Sequence, residues 1–162
     1  MEECGLEKLT KLERLELHDN KLSAVPEAVA RLGAKLKVLR LERNQLTGSG
    51  SDGKNGLRHL GQATSLTSLN LDCNEIRELG TALGACQTLE LLSVADNELE
   101  MLPRVALQSC RRLRELVLSR NMLNDRALQG LAPLGSCLTM LRLDSNHLES
   151  IASLPPLKVG AC

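Results

Sequence analysis

The 162-residue chain contains no Phe, Tyr or Trp. A core without rings has to be built from aliphatic side chains, and Leu is visibly the material. The same absence removes the stacking platforms that usually hold single-stranded nucleic acid. Net charge is missing too. Twenty Lys and Arg balance twenty Asp and Glu, so no long-range field draws the chain to nucleic acid, an anionic membrane or an acidic substrate. No apolar run approaches the ~18 residues of a membrane-crossing helix. The opening "MEECGLEKLT" has neither a basic n-region nor an apolar h-region, and no N-x-S/T acceptor occurs. The expectation is an intracellular, cytoplasmic chain that acts on neither membrane nor nucleic acid.

What is present is a period. The pattern L-x-x-L-x-L-x-x-N-x-L occurs six times: "LERLELHDNKL" from Leu12, "LKVLRLERNQL" from Leu36, "LTSLNLDCNEI" from Leu66, "LELLSVADNEL" from Leu89, "LRELVLSRNML" from Leu113 and "LTMLRLDSNHL" from Leu138. Only Ile76 and Val94 depart from it, and both are conservative. Its asparagines, Asn20, Asn44, Asn74, Asn97, Asn121 and Asn146, are 24, 30, 23, 24 and 25 residues apart. The central x-L-x-L-x alternates with period two, as a strand with one buried face must. One such unit cannot bury its apolar face alone, but stacked units make a continuous core, with parallel strands about 4.8 Å apart. An Asn repeated at one buried position is expected to satisfy backbone groups in the turn leaving each strand.

This template resembles that of the leucine-rich-repeat family, over nearly the whole chain. The resemblance implies an α/β solenoid: a right-handed curved horseshoe with a parallel sheet on the concave face and short helices or 3-10 turns on the convex face. It also implies a non-catalytic scaffold or adaptor, without a cofactor, that binds a partner protein on the concave face. Residues 1–162 read as a single domain of six repeats. Residues 1–11 and 149–162 read as incomplete repeats, so the expectation is a piece of a longer array or, alternatively, ends that pair with another copy. A receptor ectodomain is the runner-up class. The segments at 25–33, 102–110 and 125–135 are expected to be the outer helices or 3-10 turns. Pro26 and Pro103 suit helix starts, and Asn124 or Asp125 is placed to cap the third.

The second repeat is 30 residues long and holds "TGSGSDGKNG" at 47–56. Gly48, Gly50 and Gly53 fit G-x-G-x-x-G, and Gly48, Gly53 and Lys54 fit G-x-x-x-x-G-K. The context does not fit. A phosphate loop leaves a strand directly and opens a helix, whereas this strand has already ended at the Asn44 turn. Asn55 also stands where a Mg²⁺-binding hydroxyl belongs. An insertion of about six residues is the better reading, because longer loops cost little closure entropy.

Cys86, Cys110 and Cys137 recur just before a repeat's first Leu, as Cys162 does before a missing one. A reduced Cys there acts as a small buried hydrophobe, and a reducing compartment follows. Cys73 is expected beside the open sheet face. His18, His59 and His147 share no column with a Cys or carboxylate at ligand spacing, so no metal site and no catalytic arrangement is expected.

The solvent-facing strand positions form columns. The first is Arg14, Val38, Ser68, Leu91, Glu115 and Met140; the second is Glu16, Arg40, Asn70, Ser93, Val117 and Arg142. The third is His18, Glu42, Asp72, Ala95, Ser119 and Asp144; the last is Asp19, Arg43, Cys73, Asp96, Arg120 and Ser145. Charge of both signs sits at the ends. Small and apolar residues (Leu91, Ala95, Val117) sit in the middle, and the patch expected to contact a partner is Arg40, Asn70, Asp72, Leu91, Ser93, Ala95, Val117, Ser119, Met140 and Arg142. Its footprint is a few hundred Å², below the roughly 800 Å² per partner of a standard interface.

Overall fold

The computed structural model describes residues 5, 8–48, 55–102, 104–152 and 154. The expected helix start at Pro103, Gly50, Gly53 and Lys54 of the Gly-rich stretch, Leu6, and the terminal "KVGAC" with Cys162 lie outside the described residues. Each template forms a three-residue strand: β1 (Arg14–Glu16), β2 (Val38–Arg40), β3 (Ser68–Asn70), β4 (Leu91–Ser93), β5 (Glu115–Val117) and β6 (Met140–Arg142). The six make one parallel sheet in chain order.

Register follows from the repeat. Leu15, Leu39, Leu69, Leu92, Leu116 and Leu141 align as one row across the sheet. Any slip by one residue would turn these leucines out and the polar columns in. The row points into a single core that runs from Leu15 to Cys137 and is built almost wholly of Leu, with Val, Ala, Ile and Cys.

The second layer is short. Helix α1 (Glu27–Leu32) packs on a 3-10 segment at Arg58–Gln62, and α2 (Arg104–Leu107) on a 3-10 segment at Asp125–Leu134. Pro26 sits at the N-cap, one residue before the first helical position expected for it. Asn124 caps the last segment by accepting from the N–H groups of Arg126 and Ala127 at 3.0 and 3.3 Å. Asp125 turns instead to the next repeat, accepting from the N–H groups of Glu149 and Ser150. The Arg58–Gln62 segment was not expected. Leu57, Leu60 and Ala63 are buried at three-residue spacing, which is the eclipsed period of a 3-10 helix.

Candidate functional site

The first two columns lie in register across all six strands. They face the side of the sheet opposite the leucine core. Val38, Ser68, Leu91 and Met140 of the first column are half-buried, as are Arg40, Asn70 and Val117 of the second; Arg142 is exposed. Three expected contacts differ. Ser93, Ala95 and Ser119 are buried, at 8, 9 and 9 % exposure. Short side chains in the middle of the face lie below the longer ones flanking them, so the template position alone overstates their exposure.

Most polar groups of the face are already engaged. The Arg40 guanidinium holds the Glu42 carboxylate at 2.7 Å. Asn70 Oδ1 accepts from the Asp72 N–H at 2.9 Å. Asp72 Oδ1 accepts from Ser93 Oγ at 2.6 Å and from the Ala95 N–H at 2.7 Å, crossing to the next repeat. Ser119 Oγ donates to Asp144 Oδ1 at 2.6 Å. Burial pushes the Asp72 carboxyl above the usual Asp value, and its bonds to Ser93 and Ala95 offset this only in part. At exposed Asp144 the Ser119 hydrogen bond dominates and holds the carboxyl below that value. Asp72, Ser93, Ser119 and Asp144 therefore tie repeats together, Arg40 is held within its own repeat, and the apolar Leu91, Val117 and Met140 remain uncommitted.

The six asparagines line the turn at the strand exits. Asn74 Nδ2 donates to the carbonyls of Leu71 and Asp72 in its own repeat and of Leu41 in the preceding one, at 2.9–3.1 Å; its Oδ1 accepts from the Leu46 N–H at 3.0 Å. Asn44, Asn97, Asn121 and Asn146 likewise bridge to the repeat before them. Among the described residues, Asn20 bonds to Leu17 and His18 in its own repeat. One feature had no sequence signal. Asp19, Arg43, Cys73, Asp96, Arg120 and Ser145, each just before its Asn, have φ between 52 and 55°. The left-handed region costs a non-glycine residue about 1–2 kcal/mol. Five of the six also donate their own backbone N–H to a carbonyl of the next repeat, which helps to hold them there; Gly, the residue that would have announced the turn, is at none of them.

The other candidates resolve as scaffold. Thr47 bridges to Glu75 in the next repeat. A side chain at Gly48 would collide with the Glu78 carbonyl, and one at Gly56 with that of Thr47. Gly48 thus permits close backbone approach to the next repeat and Gly56 to Thr47 and to Ser23 of the preceding one, so Gly48 is not placed to cradle phosphate. Cys86, Cys110 and Cys137 are buried and not in disulfides, and Cys73 is exposed. Cys86 donates weakly to the carbonyls of Leu60 and Ala63. Burial pushes the Cys86 and Cys110 thiols up to about 12 and about 11. Burial, followed by Asp96 and Asp72, also raises Cys73 above its ordinary value, which disfavours a reactive thiolate there. Among the described residues no group of three His, Cys, Asp or Glu converges on a metal position.

Known proteins share this arrangement. The family described as "Leucine rich repeat" matches residues 64–123. The chain is 38% identical over 132 residues to the geranylgeranyl transferase type-2 subunit alpha of Pongo abelii, covering 76% of this chain and 21% of that one. It is 35% identical over 152 residues to podocan-like protein 1 of Mus musculus, covering 93% of this chain and 26% of that one. The chain thus spans about a fifth to a quarter of the length of these relatives. Among solved structures, an internalin (inlF) of Listeria monocytogenes superposes with a TM-score of 0.77 at 25% identity, covering 94% of this chain and 41% of that one.

Proposed function

The chain is a leucine-rich-repeat protein, and we propose that it is an interaction module that holds a partner protein against the open face of its sheet. The observation that carries this reading is the trio Leu91, Val117 and Met140. These are half-exposed apolar side chains on a face where many charged and hydroxyl groups, Arg40 with Glu42, Ser93 with Asp72 and Ser119 with Asp144, are bonded to one another. Leu91 and Val117 are diagonal neighbours on β4 and β5, so together they offer one contiguous apolar spot to a partner side chain. Arg142 at the rim is the expected polar anchor, of the type enriched at binding hot spots.

Catalysis by this chain is not part of the proposal. Its two hydroxyl–carboxylate pairs, Ser93–Asp72 and Ser119–Asp144, hydrogen-bond to no histidine and act as ties between strands. Relatives named as subunits of a transferase fit a role inside an assembly. The reduced, buried Cys86, Cys110 and Cys137 support a reducing, cytoplasmic setting. The test is a pull-down from lysate of the source cell with the wild type and with Leu91→Glu/Val117→Arg, both checked by circular dichroism. A protein held by the wild type and lost from the folded double variant places the partner on this face. Identical captures by both would sink the proposal.

A further inference from the structure

The edge where the chain enters the strands differs sharply between repeats. The four residues before each strand read "TKLE" (10–13), "AKLK" (34–37), "TSLT" (64–67), "QTLE" (87–90), "RRLR" (111–114) and "SCLT" (136–139). In several repeats the polar members of this edge are structural. Ser65 Oγ donates to the Ala34 carbonyl, Thr67 Oγ1 to Lys37, Thr88 Oγ1 to Thr64 and Leu66, and Thr139 Oγ1 to Arg114, at 2.8–3.1 Å. Lys37 is paired with Glu13 at 2.9 Å.

The fifth repeat breaks this habit. Arg111, Arg112 and Arg114 are all exposed, and among the described residues none of their guanidiniums has a hydrogen-bond or ion-pair partner. Several other arginines are paired: Arg40 with Glu42, Arg77 with Glu98, Arg120 with Asp96. Arg111 and Arg112 form the shared ridge between two adjoining grooves. One, of about 620 Å³, has neutral polar walls that include Gln87, Thr88, Gln108 and Ser109. The other reaches Arg114 and Cys137, with Glu90 its sole acid. Three uncompensated cations thus stand over open polar clefts in a chain whose total charge is zero.

We propose that this edge is a second docking surface, distinct from the open face, and that it takes an extended acidic segment of a protein, a run of Asp and Glu side chains. Charge complementarity assigns the occupant. Guanidiniums recognise carboxylates through paired N–H donors, and the amides and hydroxyls of the cleft walls suit an extended backbone. A basic or neutral segment would leave the three cations crowded and unpaired. The inference does not rest on the open-face reading, because none of its residues belongs to the four strand-face columns except through neighbours in sequence.

The test uses fluorescence anisotropy with a labelled peptide of eight alternating Asp and Glu residues against the intact chain. Controls are an eight-residue Lys peptide and a phosphoserine peptide with Gly and Ser elsewhere. The acidic peptide is expected to bind, to weaken at least tenfold between 50 and 500 mM salt (an order-of-magnitude expectation for several exposed ion pairs), and to lose roughly tenfold or more in Arg111→Gln/Arg112→Gln. The Leu91→Glu/Val117→Arg protein should bind it as the wild type does, which separates this surface from the open face. Because the arginines are exposed, the Gln variant keeps its fold, as circular dichroism checks. No binding of the acidic peptide, or equal binding by wild type and Gln variant, overturns the proposal. So does capture of the phosphoserine peptide alone.

Discussion

The middle repeats and the end repeats carry the same template but differ in burial. Leu69, Leu92 and Leu116 are wholly buried, whereas Leu12, Leu17, Leu141 and Leu143 are only partly so. Asn74, Asn97 and Asn121 are 8, 7 and 5 % exposed, while Asn20 is exposed and Asn146 half-buried. Asp72 and Asp144 occupy one column, yet their carboxyls shift in opposite directions. In a stack where each unit touches only its neighbours, the contribution of a template residue is set by what lies on either side of it. The letter in the sequence is the same; the number of neighbouring repeats is not.

The largest test of this contrast lies in the leucine row. Leu92→Ala is expected to destabilise by about 2–5 kcal/mol, because a filled site becomes a cavity flanked by rigid neighbours. Leu141→Ala should cost roughly half as much or less, since a partly open site loses less on truncation. Urea unfolding midpoints of the two variants measure it, and equal losses would break the comparison.

The ladder gives the next effect. Asn74→Leu strands the Leu46 N–H and removes donors from three carbonyls, an expected loss of about 1–3 kcal/mol despite the added apolar surface. Asn20→Leu removes two exposed bonds and should cost only a few tenths of that. Thermal melts of both variants decide. An Asn74→Leu protein that melts like the wild type would refute the ladder as a source of stability.

The smallest effect is in pH. Because the Asp72 carboxyl is raised when folded, the native state holds its proton longer than the unfolded chain. Its contribution therefore falls as pH rises from near 3.8, the ordinary value, through the folded one. Asp72→Asn, which can still accept from Ser93 and Ala95, should gain on the wild type over that rise. Asp144 is lowered, so its contribution is present above 3.8 and lost as pH falls through its folded value. Asp144→Asn should therefore trail the wild type at neutral pH and catch up in acid. Denaturation midpoints between pH 3 and 7 read both slopes, and slopes of one sign would remove the distinction between middle and end.

Much of this was legible in residues. The alternation around Leu39 or Leu92 gave strand, face and register together, because period two leaves only one way to bury the row. The recurrence of Asn20 through Asn146 marked the turn. What escaped notice had no local signature. The left-handed residues before each Asn are Asp, Arg, Cys and Ser, none of which announces a positive φ as Gly does. The 3-10 turn at Arg58–Gln62 follows the Gly-rich stretch, where composition points to loop. Gly48 matches the start of a phosphate pattern that its repeat context argues against, and its place against the Glu78 carbonyl is a contact that spacing alone does not show.

The sequence by itself determined the repeat, the parallel sheet, the aliphatic core and the columns of the open face, because each follows from spacing within one unit. Only the tertiary structure decided which members of those columns are available. Ser93 and Ala95 sink between neighbours, Asp72 and Arg40 are spent on ties between and within repeats, and Arg111, Arg112 and Arg114 stand unpaired at the edge. The reason is physical. Periodicity is a property of one strand, whereas burial and pairing depend on side chains brought to about 4.8 Å by repeats some 24 residues apart.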